Sequence, residues 1–217
     1  MNVLIAGACR SGSTALYNMA RLLMERTYGV DNVYAGRNDV QWPGKPHAVL
    51  HHHQPSEAHQ RWADVILTSH RDLLDVVASD KRCNEIIHGK PYTNTPESLL
   101  DVLATVVSCH MWWKPHADYE MKYCTFVDSP QSVLFDVVGA LPDEGAVFDD
   151  TDTSGIIEEI QAYKPGDYTT DNRNLICEIA RTDGRAGAYG EFLEQWEIDT
   201  VLKYYSWWQR DNGYRTE

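Results

Sequence analysis

Long apolar stretches are missing from this 217-residue chain. No run of about eighteen apolar residues occurs, so no membrane-spanning helix is expected. The opening Met1-Asn2-Val3-Leu4-Ile5-Ala6-Gly7 has neither the basic start nor the apolar length of a secretory signal, which predicts a soluble, unexported, cytoplasmic protein. Cysteine is sparse and scattered, at Cys9, Cys83, Cys109, Cys124 and Cys177. That spacing excludes both a paired-cysteine zinc site and a disulfide scaffold, and it predicts reduced thiols. Positive charge is scarce as well. With 19 Lys and Arg against 32 Asp and Glu, the net charge of -13 argues against nonspecific nucleic-acid or acidic-membrane partners. An anionic ligand would have to be held by a local cluster of basic residues and backbone amides. Internal repeats and low-complexity tracts are also absent.

What is present suffices for one substantial core. Hydrophobic residues make up 43% of the chain and aromatics 11%, and the length fits a single domain over residues 1–217. Val3-Leu4-Ile5-Ala6 reads as a buried strand, followed by a glycine-bearing turn and a helix from Ser13 to Glu25. Ala48-Val49-Leu50 and Val65-Ile66-Leu67-Thr68-Ser69 read as two further buried strands, ending in His51-His52-His53 and His70-Arg71. Near-helical spacing of Leu99, Leu103, Val106, Val107 and Met111 predicts a long helix from Ser98 to Trp113. Cys124–Val127 is expected as a fourth strand, followed by a helix from Gln131 to Leu141. Residues 142–174 are acidic and turn-rich, and read as surface loop with a short helix near Ile156 to Tyr163. A final aromatic helix is expected from Glu191 to Arg210. Strands alternating with helices imply an α/β fold, a mostly parallel sheet flanked by helices, with ligands beyond the carboxyl ends of its strands.

Two segments have the chemistry of anion sites. In Gly7-Ala8-Cys9-Arg10-Ser11-Gly12-Ser13-Thr14 a strand runs through a glycine turn into a helix, so backbone N–H groups converge and the helix dipole favours negative charge. Arg10 adds a fixed positive charge, and Ser11, Ser13 and Thr14 add hydroxyl donors. A nucleotide kinase would need lysine directly after the second glycine, and Ser13 stands there. At the end of the Val65 strand, Arg71 is followed eight residues later by Ser79, a pair able to grip one phosphate from two sides.

Arg10-Ser11-Gly12-Ser13-Thr14 after the first strand resembles the 5′-phosphosulfate loop of sulfotransferases that use 3′-phosphoadenosine 5′-phosphosulfate (PAPS). Arg71, Asp75, Val76 and Ser79 resemble that family's 3′-phosphate motif. Thr182-Asp183-Gly184-Arg185-Ala186-Gly187-Ala188-Tyr189 is similar to its glycine loop over the 3′-phosphate, with Thr182 and Asp183 where the family has Arg-Lys and with Arg185 or Arg181 to supply the charge. His51-His52-His53-Gln54-Pro55 stands where the family's Lys-Thr-His-x-Pro carries its histidine base. The resemblance implies a P-loop-like sulfotransferase fold and metal-free transfer of a sulfuryl group from PAPS to a hydroxyl or amine of a small acceptor. It places the base at His53, with Arg10 at the sulfated phosphate, and the donor on Arg10, Ser11, Gly12, Ser13, Thr14, Arg71, Ser79, Gly184 and Arg185.

Alternatives stay open at this level. Strand alternation puts His51 and His53 on one face and His52 on the other, so His51, like Glu57, remains a substitute base. The histidines can also end a strand without chemistry or, with His47 or His59, hold a metal. Trp112, Trp113, Tyr119 and Tyr123 fit either the core or a pocket wall. The rival functions are a P-loop small-molecule kinase, for which Asp72 would be the magnesium carboxylate, and a catalytically silent nucleotide-binding module.

Overall fold

Residues 3–6 become the middle of a parallel sheet, and the other apolar runs of the sequence are laid beside them. The computed structural model describes residues 1–37, 44–141, 150–163, 175 and 185–216. In chain order the elements are β1 (Asn2–Gly7), α1 (Ser13–Tyr28), β2 (Val33–Arg37), β3 (His47–His52), α2 (Glu57–Trp62), β4 (Val65–His70), α3 (Leu73–His88) and α4 (Pro96–Trp113). They are followed by β5 (Tyr119–Lys122), α5 (Tyr123–Asp128), α6 (Pro130–Ala140), α7 (Asp150–Ala162) and α8 (Gln195–Asp211). The sheet has five strands in the order β2-β3-β1-β4-β5, all parallel.

Parallel strands covered on both faces need apolar residues on both, which is why β1 and β4 read as unbroken runs. Val3 and Ile5 face one core with Leu16, Met19 and Leu23 of α1 and with α6 and α7. Leu4 and Ala6 face the other, with Leu74 and Val77 of α3, Leu103 and Val107 of α4, and Trp208 of α8. From β1 the chain runs outward to β2, returns to β3 beside β1, and then crosses to β4 on the opposite side. The connection leaving β1 runs toward β2 and that leaving its neighbour β4 runs the other way, to β5, which opens a crevice at their carboxyl ends, where an open α/β sheet binds ligands. The loops after β1, β3 and β4 all reach that edge.

The α8 helix is fastened by a buried carboxylate. Glu197 accepts from Lys81 Nζ of α3 at 3.0 Å, from Asn94 Nδ2 at 2.6 Å and from the Glu194 backbone N–H at 2.7 Å. A buried charge is tolerable only with partners of this kind.

Two strand expectations need correction. Tyr123–Asp128, which contains the expected fourth strand at Cys124–Val127, is helix α5, and the strand is the preceding Tyr119–Lys122. As an edge strand, β5 buries fully only Met121, so it has no apolar run to betray it. The other edge strand, β2, was not expected at all, and there only Val33 is buried. Helices α1, α4, α6 and α8 fall within a few residues of expectation, with α4 starting slightly earlier because Thr95 and Ser98 form a capping box around Pro96, whereas α7 begins at Asp150 rather than near Ile156, and α2 and α3 were not assigned. Apart from α7, the expected surface loop over 142–174 lies outside the described residues.

Candidate active site

The loop after β1 depends on two left-handed residues, Arg10 at φ 66° and Gly12 at φ 92°. Gly12 is the N-cap of α1 and no side chain caps that helix, so its first N–H groups face the crevice without a side-chain acceptor. Two loop hydroxyls turn inward. Ser11 Oγ donates to the Ala8 carbonyl at 2.7 Å and lies 2.8 Å from Ser69 Oγ, while Ser13 Oγ lies 2.9 Å from His51 Nε2. These bonds set the shape of the loop and tie it to β3 and β4. Arg10 reaches across to α3, donating from Nε to Ser79 Oγ and from Nη2 to the Ser79 carbonyl, both at 3.1 Å. The arginine of the first motif thus touches the serine of the second.

A Cβ on Gly12 would strike the ring of Tyr123 and would also sit at an unfavourable φ. Gly12→Ala should therefore destabilise the fold by about 1–3 kcal/mol from backbone strain and by more from the collision. Gly89, at φ 63° with nothing near its Cβ position, is the matched control. Urea melts in which Gly12→Ala costs no more than Gly89→Ala would show that Tyr123 does not pack on the loop.

The histidines divide as strand alternation requires. His51 and His53 meet edge to face at 4.4 Å, while His52 stacks on His59 at 4.1 Å on the opposite side. His53 Nδ1 lies 2.7 Å from the Gly7 carbonyl. A carbonyl only accepts, so Nδ1 carries the proton and Nε2 keeps its lone pair. Burial lowers the pKa of His53 from its ordinary value; the Gly7 carbonyl opposes this, and the charges of Arg37 and Arg10 lower it further. His53 is therefore a neutral imidazole at pH 7 with one basic nitrogen. His51 is more deeply buried, and burial together with His53 and Arg37 holds its pKa well below the usual range. Glu57, the substitute base, is exposed at the start of α2 and paired with Arg61 at 3.3 Å.

Across the crevice, Arg71 is 8% exposed, and its surroundings fix its direction. Nη2 donates to the Arg185 carbonyl at 2.8 Å, Nε lies 3.8 Å from Asp75 Oδ2, and the guanidinium sits 4.5 Å over the ring of Tyr123. Asp75 also accepts from the Gly187 backbone N–H at 2.8 Å. The segment at 185–187 therefore closes on Arg71 through its main chain. The Arg185 side chain turns away, donating to both oxygens of Glu191 at 2.9 Å. Gly184 and Arg181 lie outside the described residues. Asp72, the magnesium carboxylate of the kinase alternative, is taken up structurally. It caps α3 by accepting from Leu74 N at 2.9 Å, and it accepts from Gln209 Nε2 of α8 at 2.8 Å.

Of the aromatics, Trp113 is core and Trp112 packs against it. Tyr123 lies between Gly12 and Arg71, at the border of the crevice. Sequence reasoning missed Arg37, because the edge strand that carries it has no apolar signature.

Beside Arg71, ligand atoms of His70, His110 and Glu120 lie within 4.8 Å of one another. Their proton pattern is that of a hydrogen-bonded relay. Trp208 Nε1 can only donate, and it points at His110 Nδ1 from 3.2 Å, so the His110 proton sits on Nε2 and is directed to Glu120 Oε1. The lone pair that a metal would need on that nitrogen is thus occupied by a proton.

No protein-family model matches the chain, and no curated protein matches it. Among solved structures it is similar to a mouse sulfotransferase, SULT7A1, complexed with PAP. That match has a TM-score of 0.66 and 13% identity over 97% of this chain and 85% of the other. Retinol dehydratase in complex with androsterone and inactive cofactor PAP matches with a TM-score of 0.59 and 15% identity, over 97% of this chain and 80% of the other. The same enzyme with retinol and PAP gives 0.58 and 16%, with the same coverage, 97% and 80%. At such identities the likeness establishes the fold, which is the expected α/β fold of the sulfotransferase.

Proposed function

We propose that this chain is a sulfotransferase that moves the sulfuryl group of PAPS to the hydroxyl of a small acceptor, with His53 as base and PAP as the other product. The observation that carries the reading is the tautomer of His53, whose Nδ1 proton is given to Gly7 and whose Nε2 is left basic beside the uncapped start of α1. A hydroxyl is a poor nucleophile until its proton is removed, and a neutral imidazole fixed by one nitrogen is suited to that task. The acceptor oxygen bonds to sulfur, the bond from sulfur to the bridging phosphate oxygen breaks, and the acceptor proton passes to His53 Nε2. Negative charge then grows on the departing phosphate, where the N-terminal dipole of α1 and the Arg10 guanidinium favour it. Arg71, steered by Asp75 and Tyr123, would take the 3′-phosphate at the other end. Because Arg10 contacts Ser79, the two anion motifs form one continuous site. Retinol and androsterone, seen on retinol dehydratase, both carry a hydroxyl on an apolar body, which supports an acceptor of that class. No helix among the described residues is long and apolar enough to cross a membrane.

PAP should raise the melting temperature more than ATP with magnesium does, since a ligand held only by the native state stabilises it by mass action. Arg71→Ala should weaken PAP binding roughly tenfold to a hundredfold, the scale of one charge-assisted hydrogen bond. A larger shift with ATP and magnesium, or transfer abolished by EDTA and restored by one divalent ion, would replace this reading with the kinase.

A further inference from the structure

The sheet register places one more cation on the base's face. In β2–β3 pairing Arg37 stands opposite His51, and in β1–β3 pairing His51 stands opposite Ile5. Residues paired across neighbouring strands project to the same face, and residues two apart on one strand do so too. Arg37, His51 and His53 therefore share the α1 face at the carboxyl edge of the sheet. Among the described residues no carboxylate pairs with Arg37, and the residue is exposed at the end of its strand. Among the described residues, the other cations at the crevice already have contacts on α3 or in the 185–191 segment, and the roles proposed for Arg10 and Arg71 lie at the two phosphates of the donor. Arg10 donates two N–H groups to Ser79, Arg71 is aimed at Arg185 and Tyr123, and the Arg185 side chain is paired with Glu191. His51 is held neutral by burial.

We propose that Arg37 is a catalytic residue that binds the oxygens of the sulfuryl group while it passes from donor to acceptor. The inference rests on the sulfotransferase reading of the same site. Its reach is right for that task. The charge of Arg37 is felt both at His53, on the acceptor side, and at Cys9, inside the loop after β1 that would hold the donor. The group in transit lies between those two places. A guanidinium there meets a planar set of oxygens with a planar fork of donors. Its charge also adds to the effect of burial in keeping His53 unprotonated until the acceptor hydroxyl arrives.

The test compares PAPS with PAP, which differ by the sulfuryl group, in calorimetric titrations without acceptor. Wild-type protein should bind PAPS more tightly than PAP. Arg37→Gln should lose roughly tenfold to a hundredfold in PAPS affinity while PAP affinity stays within about twofold, and Arg37→Lys should recover part of the difference. The His53 pKa, followed by NMR in the free protein, should rise in Arg37→Gln because a neighbouring positive charge has gone. Equal loss for both ligands, or no loss for either, overturns the role of Arg37 while leaving the sulfotransferase reading intact. Unchanged donor affinities with weaker binding of an anionic acceptor would move Arg37 to acceptor recognition. Failure of wild-type protein to bind PAP at all would remove the sulfotransferase reading, and this inference with it.

Discussion

Replacing His53 with alanine is expected to lower turnover by roughly two to four orders of magnitude while leaving PAP affinity within about twofold. The asymmetry follows from where the residue acts. Its Nδ1 is committed to the Gly7 carbonyl at 2.7 Å, so only Nε2 faces the chemistry, and proton removal matters in the transition state rather than in product binding. The pH dependence has a definite sign. A base works when unprotonated, and burial lowers the pKa of His53, so turnover should be flat above neutrality and fall as pH drops below the lowered value. The two substitutes are less well placed. His51 Nε2 is engaged with Ser13 Oγ beneath the loop, and Glu57 is exposed and paired with Arg61. Near-normal turnover in His53→Ala, with the melting temperature unchanged, would pass the role to one of them. His53→Ala also deletes the bond to Gly7, so the melting temperature has to accompany every rate.

The segments that carry the site were legible where burial was two-sided. The β1 and β4 strands are covered on both faces, so each shows an unbroken apolar run, and each is followed by an arginine-bearing loop and a helix start. Alternation along β3 also correctly separated His52 from His51 and His53. The edges were opaque, because β2 and β5 fully bury one side chain each and leave no pattern of period two. Arg37 was hidden with β2. Partners distant in sequence were equally out of reach: His53 meets a carbonyl 46 residues away, and Arg71 meets one 114 residues away. Residue type suggested that the Ser11 and Ser13 hydroxyls offer donors to an anion. Only the fold shows them turned inward, toward Ala8, Ser69 and His51.

Acid should weaken this protein well before its carboxylates titrate, because folding lowers the pKa of His53 and, more strongly, of three buried histidines. Burial lowers the His52 pKa to about 4 and that of His70 to about 3, and His51 is lowered well below its usual range. In the unfolded chain each returns to about 6.5. As pH falls through 6.5 the unfolded state therefore takes up protons that the native state refuses. Stability is full above that value and is lost progressively toward the native pKa values. Each such histidine contributes a slope of about 1.4 kcal/mol per pH unit, so three contribute about 4 kcal/mol between pH 6 and pH 5. Asp72, whose carboxyl burial raises, works in the opposite direction at lower pH, and Glu120, held down to about 2 by its bond to His110 against the cost of burial, reinforces the acid loss. A domain at the low end of ordinary stability, about 5 kcal/mol, should then unfold cooperatively near pH 5 with uptake of more than two protons. His52 is the cleanest lever. Neither of its ring nitrogens has a hydrogen-bond partner, and its ring stacks on His59 and meets the edge of Trp113, so His52→Phe keeps the packing and removes one titrating group. In that variant the fall in melting temperature between pH 7.5 and 5.5 should shrink by roughly a quarter to a third, one histidine's share of the group formed by His51, His52, His70 and the less strongly lowered His53. Stability that stays flat down to pH 4.5, or proton uptake of one or fewer, would mean that these imidazoles are charged or hydrated in the native protein.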